Sequence, residues 1–118
     1  MLIQLPDVLV ADEVRHARQL LATASWTDGR PGAGSQAIQV KNNEQLPHTD
    51  PVAQAVREMV LRGLDRNPLF LTAALPKRIF PPRMNRYSGA SNFYGDHVDG
   101  SVRFAPESGQ RVRTDLSC

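Results

Sequence analysis

Apolar and polar positions recur with two different periods along this chain, and each period predicts a different element. Residues 2–5 alternate, as in a short strand. From Asp7 the spacing changes. Val10, Val14, Ala17, Leu21 and Ala24 recur at helical intervals, with Asp12, Glu13, Arg15, Arg18 and Gln19 on the other faces. This predicts a helix over about 11–23. The clearest helix is over 49–67. Thr49 or Asp50 can cap it, Pro51 suits the first helical position, and Val52, Val56, Met59, Val60 and Leu64 form one apolar face. Asn67-Pro68 ends it, because a residue before proline is pushed out of helical geometry.

Between these helices, residues 27–36 are rich in Gly and contain Pro31, which predicts a loop. It is no phosphate-binding loop: the Gly-Lys-Ser/Thr ending is missing, as are the preceding strand and following helix of a dinucleotide fingerprint. Residues 37–40 read as a short strand. Residues 69–75 fit either a buried strand or a helical turn, since so short an apolar run has no decisive period. Strand pieces are expected at 79–80 and 83–87 around Pro81-Pro82, a strand at 93–98, a turn at 105–110, and a strand beginning over 111–118. No internal repeat or low-complexity tract occurs. Helices first and strands afterwards predict an α+β fold in which helices buttress an antiparallel sheet.

Composition narrows the class. At 118 residues, the chain suits one small domain or a piece of a larger one. Its 41% hydrophobic content suffices for a core, although 6% aromatic leaves that core light in large side chains. Fourteen Lys and Arg stand against 12 Asp and Glu, with no long run of like charge, so no nucleic-acid groove is expected. The lone cysteine, Cys118, excludes an internal disulfide framework. The first residues have neither a basic start nor a long apolar stretch, so no signal peptide or membrane span is expected there, and the expected location is the cytoplasm.

The chemistry concentrates at His97 and Asp99. Two positions apart on a strand, an imidazole and a carboxylate share a face and can meet one metal. With a distant second histidine, such a pair makes the 2-His-1-carboxylate triad that leaves three positions open on Fe(II). A bare His-x-Asp is common, however, and its plain reading is a surface histidine near a solvated carboxylate. His16 lies on the charged side of the first helix, where the plain surface reading holds; His48, beside a proline and before a helix cap, is given no role. A zinc hydrolase fits poorly, because the His-Glu-x-x-His helix spacing is absent.

Context sharpens the reading. Asn85-Arg86-Tyr87, a Gly-containing loop, and then Tyr94-x-x-His97-x-Asp99 resemble the ligand-bearing strand of the prolyl-4-hydroxylase-like 2-oxoglutarate oxygenases. The resemblance is closer to the bacterial PKHD-type hydroxylases associated with iron uptake. It is carried by the Met-Leu-Ile start, Trp26-Thr27-Asp28-Gly29-Arg30, Lys41-Asn42-Asn43-Glu44-Gln45-Leu46-Pro47 and Asn67-Pro68-Leu69-Phe70. Ala74-Leu75-Pro76, Phe80-Pro81-Pro82, His97-Val98-Asp99 and Arg113-Thr114-Asp115-Leu116-Ser117 continue it in the same order. Two positions depart from the family: Gly100 stands where Asn is usual, and Asp96 where an aromatic is frequent. Alternation on a strand would turn Asp96 away from His97.

The resemblance implies a double-stranded β-helix, or jelly roll, with residues 1–68 as helical support and 69–118 as its first strands. It implies an Fe(II)- and 2-oxoglutarate-dependent dioxygenase that couples decarboxylation of the co-substrate to hydroxylation, with L-ascorbate keeping the iron reduced. His97 and Asp99 would be metal ligands, and Tyr87 and Tyr94 would meet 2-oxoglutarate. No histidine follows His97, and Arg111 and Arg113 come too early to clamp the co-substrate. The chain is therefore expected to be truncated at its C-terminus and inactive alone. Expected partners are O2 and a peptidyl or small-molecule substrate, which the residues do not choose between. The alternative is a non-catalytic module, or an inactive truncated product, that binds a partner or a second copy of itself through unpaired sheet edges.

Overall fold

A computed structural model describes residues 2–105 and 108–117. Pro106, in the expected turn, and Cys118, at the end of the expected last strand, lie outside them. The chain divides into two units, Met1–Ser25 with Leu46–Arg83, and Trp26–Gln45 with Met84–Cys118. The expected α+β composition is present: three α helices lie in the first unit and short antiparallel strands in the second.

In the first unit, α1 spans Ala11–Ala22, α2 spans Pro51–Asp65 and α3 spans Pro68–Ala74. Both long helices form close to where periodicity places them. The Asp50 carboxylate accepts the N–H groups of Val52 at 2.8 Å and Ala53 at 3.1 Å, which decides the cap in favour of Asp50 over Thr49. Asn67 both ends α2 and caps α3, its Oδ1 accepting the Phe70 N–H at 2.9 Å. Residues 69–74 are thus helical, started by Pro68 at the first position and closed by Leu75 in the left-handed region. The buried residues here are Ala17, Leu46, Ala53, Val56, Met59, Leu64 and Phe70. Each large one contributes about 1.5–3 kcal/mol by leaving water.

The segment before α1 crosses α2 at Gly63, where a Cβ would stand 2.4 Å from the Val8 carbonyl oxygen. Only glycine admits this crossing, which outweighs its weak helix propensity. Residues 2–5 form no strand, because no second segment among the described residues pairs with them. The segment is held instead by side chains. Arg66 Nη2 donates to Val8 O at 3.2 Å, and Arg66 also forms a two-point ion pair with Glu13, Nη1 to Oε1 at 2.9 Å. Glu13 Oε2 in turn accepts the Val10 N–H at 3.0 Å, closing the first turn of α1.

That clasp has a pH signature. The Arg66 guanidinium and then the Val10 N–H hold the Glu13 carboxyl down at about 2, from an ordinary 4.5. A depressed carboxyl adds stability that is present above pH 4.5 and is lost as pH falls towards 2. Glu13→Gln should therefore be less stable than wild type at neutral pH, with the gap closing between those two values. Thermal melts at stepped pH read it directly; a gap constant down to pH 2 would refute the clasp.

In the second unit, β1 (Thr27–Asp28), β2 (Lys41–Asn42), β3 (Glu44–Gln45), β4 (Asn85–Arg86) and β5 (Phe93–Tyr94) are two residues each. Two further strands, β6 (Val102–Phe104) and β7 (Arg111–Arg113), are three residues each. All pairings are antiparallel: β1-β3-β4, β2-β5 and β6-β7. The first three strands precede α2, so strands do not simply follow helices. Residues 37–40, expected as a strand, form a 3-10 turn over Ala37–Gln39. The expected loop over 27–36 contains β1 and a second 3-10 turn, Arg30–Gly32. Among the described residues, the strand pieces at 79–80 and 83–87 shrink to β4, the strand at 93–98 to β5, and that at 111–118 to β7, with a single further backbone bond beyond β5 and β7, at Gly95 and Thr114. Of the expected turn at 105–110, residues 106–107 lie outside the described residues; the Ala105 N–H donates to Gln110 O at 2.8 Å.

This unit is held by polar groups. Arg86 makes two 2.9 Å bonds to Glu44, its cross-strand partner, and its guanidinium lies 4.6 Å from the Trp26 ring centroid. The Arg86 fork holds the Glu44 carboxyl below its usual value. Asp28 is likewise held down by Arg30, which makes two bonds to it through Nε and another through Nη2. Asn43, 2% exposed, donates to Asn85 Oδ1 at 3.1 Å, and Gln45 donates to the same oxygen at 2.6 Å. Phe93, Val98, Phe104 and Leu116 are exposed.

Candidate functional site

The site is built around β5. Its Tyr94 pairs with Lys41 of β2, and the next residue continues the pairing, the Gly95 N–H donating to Val40 O at 2.8 Å. After Gly95 the ladder stops, and residues 95–100 are irregular. His97 and Asp99 therefore do not lie on a strand, contrary to the alternation argument. They come together nonetheless, with His97 Nε2 3.3 Å from Asp99 Oδ1.

Two contacts hold the imidazole. Its Nδ1 lies 2.7 Å from the Gly95 carbonyl oxygen. A carbonyl only accepts, so Nδ1 carries the proton in this bond and Nε2 is left as the free ring nitrogen of the neutral form. The ring stacks on Tyr94 with centroids 3.6 Å apart and planes 12° from parallel. The His97 side chain is 23% exposed and that of Asp99 is 60% exposed, so the pair stands at the surface of its unit.

The structure thus joins three of the four residues singled out by sequence: Tyr94, His97 and Asp99. Tyr87, just after β4 and exposed, has no hydrogen bond or ring contact with them among the described residues. Asp96 forms no ion pair among the described residues, and strand alternation no longer governs where it points. Thr114 Oγ1 donates to the Gly100 carbonyl at 2.7 Å, linking the chain beyond Asp99 to the end of β7. Among the described residues no three His, Cys, Asp or Glu side chains gather as a metal cage, so the donor set here is a pair.

Sequence reasoning missed one residue. Lys41 is 5% exposed, and its ammonium lies 5.4 Å from the Tyr94 ring centroid. The signal lay in the Lys-x-Asn stretch, but a lysine's burial depends on a pairing with a distant strand. His16 is exposed on α1, as expected. No helix among the described residues is long and apolar enough to cross a membrane.

Fold and site together define an α+β chain in which the irregular segment after a short antiparallel strand carries a converging histidine–carboxylate pair. Comparison with known proteins places that class. The chain is 61% identical to a PKHD-type hydroxylase of Polaromonas sp., 53% to one of Verminephrobacter eiseniae and 52% to one of Variovorax paradoxus. Each match covers 100% of this chain and 52% of the relative. The chain is thus similar over its whole length to PKHD-type hydroxylases and spans about half the length of these relatives, consistent with an N-terminal portion. No family model matches it.

Proposed function

We propose that this chain is the part of an Fe(II)- and 2-oxoglutarate-dependent hydroxylase that carries two of the three iron ligands. The observation behind this reading is the convergence of His97 Nε2 and Asp99 Oδ1 at 3.3 Å, with Nδ1 engaged by the Gly95 carbonyl. With a proton on Nε2 this contact is an ion pair; without it, the ring-nitrogen lone pair and the carboxylate oxygen stand together where a positive centre lies against both. For donor–metal distances of about 2.1 Å, adjacent ligands of one ion stand about 3 Å apart. The pair therefore fits one metal ion, and an imidazole with a carboxylate is the donor set that suits non-haem iron.

When bound, the iron would supply O2 activation coupled to decarboxylation of 2-oxoglutarate. The residues of this chain hold and orient: Gly95 fixes the tautomer of His97, Tyr94 fixes its plane, and Asp99 offers negative charge. Tyr94 and Tyr87 are the groups proposed to meet 2-oxoglutarate. A second histidine and a carboxylate-binding arginine would come from beyond Cys118 in the longer protein, as would the remaining strands of a jelly roll. L-ascorbate as reductant, a peptidyl or small-molecule substrate and a role in iron uptake belong to the same reading. The test is succinate release from 2-oxoglutarate by the full-length protein and by these 118 residues. Iron-dependent release by the former alone is expected. None from the full-length protein with any substrate class, or release by the 118 residues, would overturn it.

A further inference from the structure

We infer that Lys41 is a positioning residue for the candidate metal site: through Tyr94 it sets the plane in which His97 presents Nε2. The inference rests on the metal-site reading for its purpose, and on geometry for its content. Residues 95–100 have no ladder of their own, so His97 takes its orientation from the two residues at the end of the paired stretch, Tyr94 and Gly95. Both of its restraints trace to β2 and the residue before it. The Tyr94 ring that stacks on His97 belongs to the cross-strand partner of Lys41. The Gly95 carbonyl that engages Nδ1 belongs to the residue whose N–H is held by Val40.

Why this position needs a cation follows from its burial. A lysine is seldom buried unless its charge finds compensation. At 5.4 Å from the Tyr94 centroid, the ammonium meets the negative face of the ring, an attraction that strengthens away from water. Its charge also favours the ionised Asp28 carboxyl. Lys41 thereby restrains rotation of the Tyr94 ring, and a ring that cannot rotate holds a stacked imidazole flat. An apolar side chain of equal length would fill the space without this pull. Residues that orient a metal-binding histidine typically matter about 10–100-fold in metal affinity.

The test compares Lys41→Met with Lys41→Arg in the full-length protein, by NMR of the His97 ring protons without metal and by Mn(II) titration. In wild type, stacking on Tyr94 should move the His97 ring protons upfield. Lys41→Met should lose that shift and weaken Mn(II) binding about tenfold. Lys41→Arg, which keeps a cation over the ring, should retain the shift and most of the affinity. Retention of both by Lys41→Met, or loss of both by Lys41→Arg, would overturn the inference. Should Lys41→Met not fold, the decision passes to wild type. Contacts between the Lys41 ε-methylene and the Tyr94 ring support the inference, and their absence overturns it. If wild type binds no Mn(II) at His97, the proposed function fails, while the ring-shift comparison still judges Lys41.

Discussion

Replacing His97 by alanine in the full-length protein is expected to lower iron-dependent succinate release by more than about a hundredfold, since even residues that merely support a ligand cost 10–100-fold. The Nε2 atom is the donor that the Gly95 contact leaves free, and no other histidine of the chain lies in the same unit. Asp99→Asn should act in the same direction. It keeps the size of the side chain and removes the charge that a divalent ion needs beside the imidazole. His16→Ala is the control: on the exposed side of α1, it should leave turnover unchanged. The readout is succinate formed against added Fe(II), with metal content measured on the same samples. Full metal loading in both site variants would remove His97 and Asp99 from the ligand set.

The second large effect is on stability. Gly29→Ala should destabilise the strand-bearing unit by about 1–3 kcal/mol, the usual cost of forcing a methyl group into filled space. A Cβ at this position would stand 2.1 Å from Asn43 Oδ1 and 3.0 Å from Gln45 Cγ. Neither neighbour yields easily. Asn43 is 2% exposed and bonded to Asn85, while Gln45 is bonded to the same Asn85 oxygen and paired with Thr27. The Gly29 N–H also donates to Asn43 O at 2.9 Å, so the backbone cannot lift away without losing that bond. The Gly of the Trp-Thr-Asp-Gly-Arg stretch and the second Asn of the Lys-Asn-Asn stretch are thus one steric unit. Urea unfolding should show a lower midpoint at unchanged slope. An unchanged midpoint would mean that Asn43 moves freely.

How much of this was legible in the chain differs by element. The helices α1 and α2 were, because an apolar stripe every three to four residues has one structural solution, and because Asp50-Pro51 and Asn67-Pro68 punctuate α2 by local chemistry. α3 was only half legible. Its run over 69–75 is too short for a period to show, and the decisive signal was Asn67 with Pro68 read as a start as well as a stop. Most strands were not legible. Two-residue ladders contain no alternation to detect, and β1, β2 and β3 exist because segments far along the chain pair with them.

The site divides in the same way. The His-x-Asp spacing and the aromatic before it are local, and they pointed to His97, Asp99 and Tyr94 in advance. Alternation on a strand does not bring them together: the two side chains converge from an irregular segment, not from one face of a strand. What the sequence by itself determined was the helices α1 and α2, the punctuation of α2 and the identity of the converging pair, since all of these depend on residues a few positions apart. Only the tertiary structure decided the strand partners, the tautomer of His97 through Gly95, and the burial of Lys41 over Tyr94. The strand partners and the burial of Lys41 follow from contacts between segments distant in sequence, whose energies no local pattern encodes; the His97–Gly95 contact is local, but Gly95 is itself held by the distant Val40.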